Sequence, residues 1–137
     1  MVIGSGAIVQ TAHLPSYQRL GFPVAGVFDV RPEVAEAAGA HFGVPVFASL
    51  GDALHVPDAV FDVAVPGEEV LSVVEQLPFG AAVLIQKPMG LDLIMAARIR
   101  GQCRARRLKA AVNFQLRFSP NMLALRDLLT RGTLGEI

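Results

Sequence analysis

The sequence is poor in the residues that cross-link small secreted proteins: it has one cysteine, Cys103, and no tryptophan. A single cysteine excludes a disulfide within the chain and fits a reducing compartment, so we expect a cytoplasmic protein. No basic segment followed by an apolar stretch marks a signal peptide at the start. No apolar run approaches the ~18 residues of a membrane span, which predicts no membrane partner.

Charged residues are also scarce, at 18% of the chain, and the 12 basic and 12 acidic residues balance to a net charge of +0. Without a basic excess, nucleic acid is excluded as the expected partner. The 137 residues suffice for one domain with a core. The hydrophobic content of 53% is high. It indicates a parallel sheet covered on both faces, or a surface that another domain or subunit covers.

What the sequence does contain is a regular alternation of apolar runs and helical segments. This order predicts a doubly wound α/β fold, a Rossmann-type parallel sheet with helices on both faces. Ser49 and Ser119 are predicted helix caps, and Pro32 is predicted at a first helical position. The predicted strands are 1–3, 24–28, 44–47, 59–65, 79–85 and 110–114, and the predicted helices are 7–20, 32–42, 49–54, 68–77, 91–108 and 120–131.

The uncharged run 79–85 predicts a strand buried on both faces of the sheet. It ends in Gln86, Lys87 and Pro88. Ligands of open α/β sheets bind at the carboxyl ends of the strands, so Lys87 is either a site residue or an ordinary polar strand end. A glycine-rich turn after the first strand favours the interpretation of Lys87 as a site residue.

Gly4, Ser5 and Gly6 form that turn, and a predicted helix follows them. In dinucleotide-binding proteins the first glycine permits the tight turn, the second admits a pyrophosphate, and the helix N-terminus favours the anion. Val9 occupies the position of the third glycine. The G-x-G pattern alone is therefore weak evidence, and a plain turn is the alternative.

Asp29 ends the second predicted strand, 23 residues after Gly6. An acid at about this spacing binds the adenosine ribose of NAD and repels the 2′-phosphate of NADP. Arg31 could instead meet that phosphate, so NAD is favoured while NADP stays open. The alternative is a simple strand-to-helix turn at Pro32. Asp62, within the fourth predicted strand, is interpreted as a strand-start or edge residue.

Together these motifs resemble the glucose–fructose oxidoreductase, inositol dehydrogenase and rhizopine-catabolism family of NAD(P)-dependent oxidoreductases. The resemblance spans the chain but only the N-terminal cofactor domain of the family, with residues 1–131 as that domain and 132–137 as the start of a connection. It implies hydride transfer to or from a sugar, polyol or related carbinol, and a homo-oligomer in the full-length form. The shared residues are Gly4 to Ile8, His13, Asp29, Val65-Pro66, Gln86-Lys87-Pro88, Asn113, Arg117 to Pro120 and Gly135 to Ile137.

The resemblance also implies roles for single residues. The pyrophosphate would be held by Gly4, Ser5, Gly6, Ala7 and Ile8, and the ribose by Asp29 with Arg31. The other cofactor-binding residues would be Val65, Pro66, Gly67, Gln86, Lys87 and Arg117, at the nicotinamide end. Lys87 would be catalytic and meet the reacting hydroxyl, and no residue is assigned to a metal.

Three departures from the family pattern lower the efficiency that we expect of the hydride transfer. Gln86 replaces a glutamate, Val65 a threonine and Val70 a histidine. Because the family completes its proton relay from the second domain, we expect cofactor binding with little turnover by this chain alone. The alternatives are a non-catalytic nucleotide-sensing module, a fragment of a complete oxidoreductase and an S-adenosylmethionine-dependent methyltransferase.

Overall fold

Five short parallel strands lie side by side in the order β2-β1-β3-β4-β5. The computed structural model describes residues 1–136. Lateral pairing places Val2 opposite both Val27 and Asp62, and Asp62 opposite Leu84, so these side chains share one face of the sheet. The strands are β1 (Val2–Ile3), β2 (Val27–Phe28), β3 (Val60–Val63), β4 (Ala82–Ile85) and β5 (Lys109–Val112).

The third predicted strand, 44–47, is wrong as a strand and is reduced to one parallel bridge between Val27 and Val46. Val27 N–H donates to the Pro45 carbonyl, and Phe47 N–H donates to the Val27 carbonyl. Pro45 has no N–H and a fixed φ, so it cannot extend a ladder. The bridge lies beside β2.

Helices lie between successive strands, and a last helix follows β5. They are α1 (Leu14–Leu20), α2 (Pro32–Phe42), α3 (Leu50–Leu54), α4 (Val70–Gln76), α5 (Leu93–Ala105) and α6 (Pro120–Thr130). The predicted helix 7–20 is confirmed, with a π-helical segment, Val9–His13, just before α1. Pro15 lacks the N–H that would bond four residues back, which accounts for the irregular turn before it. Within residues 1–136, no helix has the length and apolarity needed to cross a membrane.

The two faces of the sheet are covered differently. Ile3, Phe61 and Val83 face a large core cluster that also contains residues of α3, α4 and α5. On the other face, Val2 and Val27 pack with residues of the π-helical segment, α1 and α2. This second layer reaches β1 and β2, whereas Val60 in β3 is 59% exposed.

The prediction that strand 79–85 is buried on both faces is therefore wrong. The strand begins at Ala82, its burial alternates, and Leu84 is only half-buried because the second face is uncovered there. Gly80 has a positive φ of 76° and Phe79 is exposed, so the first residues of the run form a turn.

Candidate functional site

Most of the sequence-predicted residues lie along the carboxyl edge of the sheet, where β1 and β3 are neighbours. The chain that leaves β1 continues to β2 on one side of β1, whereas β3 lies on the other side. This is therefore the topological switch point, where open α/β sheets bind ligands. Gly4 has a φ of 91°, and a Cβ there would lie 2.5 Å from the Ala64 carbonyl oxygen. Only glycine lets the turn after β1 lie this close to the end of β3.

Gly6 follows in the turn and faces open space, with no atom within 4 Å of a Cβ placed there. The carbonyl of Gly6 accepts from the N–H groups of Val9 and Gln10, so the helical backbone starts at this residue. Ser5 is buried, and its Oγ has no hydrogen-bond partner among the described residues. An unsatisfied buried hydroxyl costs about 1–3 kcal/mol, which an acceptor bound at the turn can relieve.

Asp29 is the acid that holds this turn. Its Oδ2 accepts from the Ser5 backbone N–H at 2.8 Å, and its Oδ1 accepts from the Arg31 backbone N–H at 3.0 Å and from Arg31 Nε at 3.2 Å. Burial raises the pKa of this carboxyl, but the bonds from Ser5 and Arg31 outweigh it, so the pKa of Asp29 lies below its ordinary value. Asp29 is therefore an ionised link between the ends of β1 and β2.

The same carboxylate has limited capacity for a ligand. A carboxylate offers about four acceptor positions, and three donors already use Asp29, so about one position remains. Arg31 supplies two of those donors, and its side chain is 59% exposed. A second ligand hydroxyl on Asp29 would require the Arg31 guanidinium to move away.

The turns after β3 and β4 lie against each other. A Cβ on Gly67 would be 3.3 Å from Pro88 Cγ and 3.4 Å from the Gly90 backbone, so small residues let these turns meet. Lys87 stands beside this contact with an exposed side chain. Val65 Cγ1 would lie 3.3 Å from a Cβ on Gly4, which brings the residues after β3 next to the glycine turn.

A partly buried polar cluster includes Gln86, the residue before Lys87. Asp62 Oδ1 accepts from Gln86 Nε2 at 2.6 Å, while Oδ2 lies 2.8 Å from both His13 Nδ1 and the Tyr17 hydroxyl. Gln86 Oε1 accepts in turn from Asn113 Nδ2 at 2.8 Å. Because an ionised carboxylate only accepts, His13 carries its proton on Nδ1. The cluster joins the first helical segment to the ends of β4 and β5.

Burial also raises the pKa of Asp62, but the hydrogen bonds from His13, Gln86 and Tyr17 outweigh burial, so the net shift is downward. Burial, together with the Asp62 charge, raises the pKa of Tyr17. The interpretation of Asp62 as a strand-start or edge residue is wrong, because it lies inside β3, the middle strand, and is 4% exposed. One acid within an apolar strand is the available signal, since a buried charge needs partners.

Two further features lie outside these contacts. Arg117 lies in the 3-10 turn Gln115–Phe118 after the edge strand β5, and its exposed side chain forms no hydrogen bond or ion pair with the described residues. A groove of about 540 Å³ lies towards the opposite, amino edge, against the uncovered face of β3 and β4. Its lining includes Tyr17, Val60 and Leu84 but none of the predicted cofactor residues.

Comparison with known proteins shows which family the chain matches. A family model described as an oxidoreductase family with an NAD-binding Rossmann fold, Gfo/Idh/MocA, matches residues 1–114. Among curated proteins, the chain is similar to the dehydrogenase aclE of Aspergillus oryzae, with 28% identity over 122 residues. The match covers 85% of this chain and 33% of that protein.

Two solved structures share both the fold and part of the sequence. The UDP-N-acetylglucosamine 3-dehydrogenase GnnA of Acidithiobacillus ferrooxidans is 29% identical with a TM-score of 0.79, over 92% of this chain and 41% of that one. The 3-ketoreductase KijD10 of Actinomadura kijaniata, in complex with NADP and TDP-benzene, is 25% identical with a TM-score of 0.82. That match covers 99% of this chain and 43% of KijD10. The chain therefore spans about two fifths of the length of these two proteins.

Proposed function

Because the chain belongs to the Gfo/Idh/MocA oxidoreductase family, we propose that its carboxyl rim binds a nicotinamide dinucleotide. We further propose that the whole protein transfers hydride between this cofactor and a carbohydrate-like carbinol. The observation that carries the proposal is the ionised Asp29, which ties the glycine turn to the end of β2. The relatives support it: one is named for a nucleotide-sugar dehydrogenase activity and another was solved with NADP.

In this proposal the pyrophosphate lies at Gly6, where the backbone faces open space at the start of a helical segment. The positive end of the helix dipole and the free N–H groups there favour an anion. The unsatisfied Ser5 hydroxyl belongs to the same turn. The adenosine ribose would lie at Asp29, and the nicotinamide beside Val65, Pro66 and Gly67.

The choice between NAD and NADP would depend on the Asp29–Arg31 pair. With Arg31 held on Asp29, one acceptor position serves a ribose hydroxyl, and the exposed guanidinium stands ready for a 2′-phosphate. With Arg31 displaced, the carboxylate accepts both ribose hydroxyls and repels the phosphate. We favour NAD because the Asp29 side chain is only 6% exposed and is bonded to the Ser5 backbone, whereas the Arg31 side chain is 59% exposed. Arg31 can therefore move away while the carboxylate stays in place.

The bound nicotinamide supplies the hydride acceptor or donor, and the protein orients the reactants. Lys87, exposed beside the contact of two turns, would donate a hydrogen bond to the substrate oxygen and stabilise charge that develops there. Val70 is fully buried in the large core cluster, so this chain places no polar group at that position. Efficient turnover would therefore need groups from outside this chain.

Calorimetric titration with NADH and NADPH tests the cofactor site. We expect the parent chain to bind, and Gly6→Trp and Asp29→Arg to abolish binding, the first by filling the phosphate position and the second by reversing the charge at the ribose. Glu36→Arg is the matched control because Glu36 is exposed on the same connection, within α2. Equal binding by the parent and both site variants would refute the assignment.

Lys87→Ala should spare cofactor binding and abolish turnover of the full-length form with a panel of sugars and polyols. The same panel addresses a second candidate, a non-catalytic nucleotide-sensing module, which the apolar Val65 and Val70 favour. Cofactor binding without turnover by the full-length form would support that candidate. Binding of S-adenosylmethionine instead of NADH would indicate a methyltransferase.

A further inference from the structure

The polar cluster around Asp62 contains an arrangement that the cofactor site does not explain. Gln86 is the residue before Lys87, and both halves of its side-chain amide are used: Nε2 donates to Asp62, and Oε1 accepts from Asn113. The amide can satisfy both partners only in this orientation. The backbone N–H of Gln86 also donates to the Val63 carbonyl, so main chain and side chain hold this residue on β3.

We propose that Asp62 is a positioning residue for Lys87, acting through Gln86, and that the acid at position 62 and the amide at position 86 form a matched pair. The proposal rests on the proposed function of Lys87. A glutamate at position 86 would place a second carboxylate oxygen about where Nε2 now lies, 2.6 Å from Asp62 Oδ1. Two carboxylates this close cannot both ionise, so one of them must retain a proton. Asp62 thus accounts for the glutamine at position 86.

The pairing also predicts that an asparagine at position 62 is unfavourable beside Gln86. His13 Nδ1–H and the Tyr17 hydroxyl both need an acceptor, so the oxygen of that asparagine would face them and its amide nitrogen would face Gln86 Nε2. A donor would then oppose a donor, or the side-chain amides of both Gln86 and Asn113 would have to turn over. Changing both residues restores complementarity, because the introduced asparagine donates to the introduced glutamate, which also accepts from Asn113.

The groups that face Asp62 come from every element packed against it. His13 lies on the π-helical segment and Tyr17 on α1, and Gln86 follows β4. The amino group of Met1, just before β1, is a further charge that interacts with Asp62. Gln86→Glu leaves Asp62 and the groups that face it in place, so a pH dependence that differs between this variant and the parent reports the pair itself. Asp62→Asn also removes the charge that His13 and the Met1 amino group face.

The test measures urea unfolding of the parent, Asp62→Asn, Gln86→Glu and the double variant at pH 8 and pH 5. At pH 8 we expect each single change to raise the unfolding equilibrium constant about tenfold or more, and the double change to return it to within about threefold of the parent. The Gln86→Glu defect should shrink at pH 5, where the shared proton is available. Additive effects in the double variant would overturn the matched pair. If neither single variant folds, a folded double variant supports the pair and an unfolded double variant overturns it.

A second readout separates positioning from stability. We expect NADH to shift the backbone amide NMR signal of Lys87 in the parent and in the double variant, but not in Gln86→Glu, while the Gly6 signal shifts in all three. A Lys87 response that is the same in all three would overturn the positioning role. If NADH shifts no signal in the parent, the proposed function fails, whereas the unfolding data still decide the pairing.

Discussion

Two glycines of one turn have different physical reasons to be glycine. Gly4 lies against the Ala64 carbonyl at a positive φ, so the fold itself requires it. Gly6 has neither a positive φ nor a close neighbour, so the protein alone does not require it. A glycine that folding does not need, at the start of a helical segment, indicates space kept for a ligand.

This difference predicts a separation of stability from binding. Gly4→Ala should lower the free energy of unfolding by about 2–4 kcal/mol, since it adds backbone strain and a clash with main chain. Gly6→Ala should leave stability nearly unchanged and weaken NADH binding. Urea unfolding and calorimetry measure the two effects. Equal stability loss in both variants would show that the open space at Gly6 has no bearing on the ligand.

The Asp29 carboxylate predicts a pH dependence with a definite sign. Its folded pKa lies below the unfolded value of about 3.9. Its contribution to stability is therefore complete above about pH 4 and is lost as the pH falls through the folded pKa. Asp29→Asn should lose less stability than the parent between about pH 5 and pH 2 in thermal unfolding. Glu36→Gln, an exposed control on α2, should lose as much stability as the parent over this pH range. If Asp29→Asn also loses as much as the parent, the hypothesis fails.

At the scale of elements, side-chain caps fix where the helices begin. Ser49, Asp92 and Ser119 accept from the N–H groups of Asp52, Met95 and Met122, at 3.0, 2.7 and 3.4 Å. The cap at Asp92 has a functional consequence, because only the short segment 88–91 separates it from Lys87. The start of α5 therefore anchors the turn that presents the lysine.

Asp92→Ala should cost about 1 kcal/mol of stability through loss of the cap. It should also increase mobility of the Lys87–Gly90 turn, measured as lower heteronuclear NOE values for the amides of this turn. Asp92→Asn is the matched control, since asparagine caps about as well. If alanine and asparagine behave alike, the cap does not hold this turn.

Much of this arrangement can be predicted from the sequence, because local chemistry determines it. The caps at Ser49 and Ser119 and the first helical position of Pro32 are sequence predictions that the structure confirms. What fails depends on neighbours distant in sequence. The apolar run 79–85 does not reveal that one face of β4 lacks a covering layer. The run 44–47 is different, because Pro45 within it is a local signal against a strand. The partners of Asp62 come from three other segments, which no spacing rule predicts.

At the scale of the whole molecule, the structure leaves much apolar surface exposed. All residues of α6 are exposed, and its largest packing contact is with the adjacent 3-10 turn. The uncovered face of β3 and β4 forms the groove of about 540 Å³. Both explanations of the high hydrophobic content therefore apply. Part of it forms an apolar core, and part forms a surface that another domain or subunit could cover.

This surface predicts concentration-dependent self-association near pH 7, where the net charge is close to zero. Replacing the half-exposed leucines of α6 by glutamine should reduce association in sedimentation velocity without changing NADH affinity; they are Leu123, Leu125, Leu128 and Leu129. A matched control replaces Leu93 and Ile94, which are exposed on α5. If the parent stays monomeric at all concentrations, the exposed leucines do not drive association.

The most direct measurement of the central claim is NMR mapping of NADH on the isotope-labelled chain. We predict that the amides of Gly6, Asp29, Gly67 and Lys87 shift together, because the dinucleotide spans the carboxyl ends of β1, β2, β3 and β4. Shifts confined to Tyr17, Val60 and Leu84 would place the ligand in the groove towards the opposite edge and contradict the proposed site.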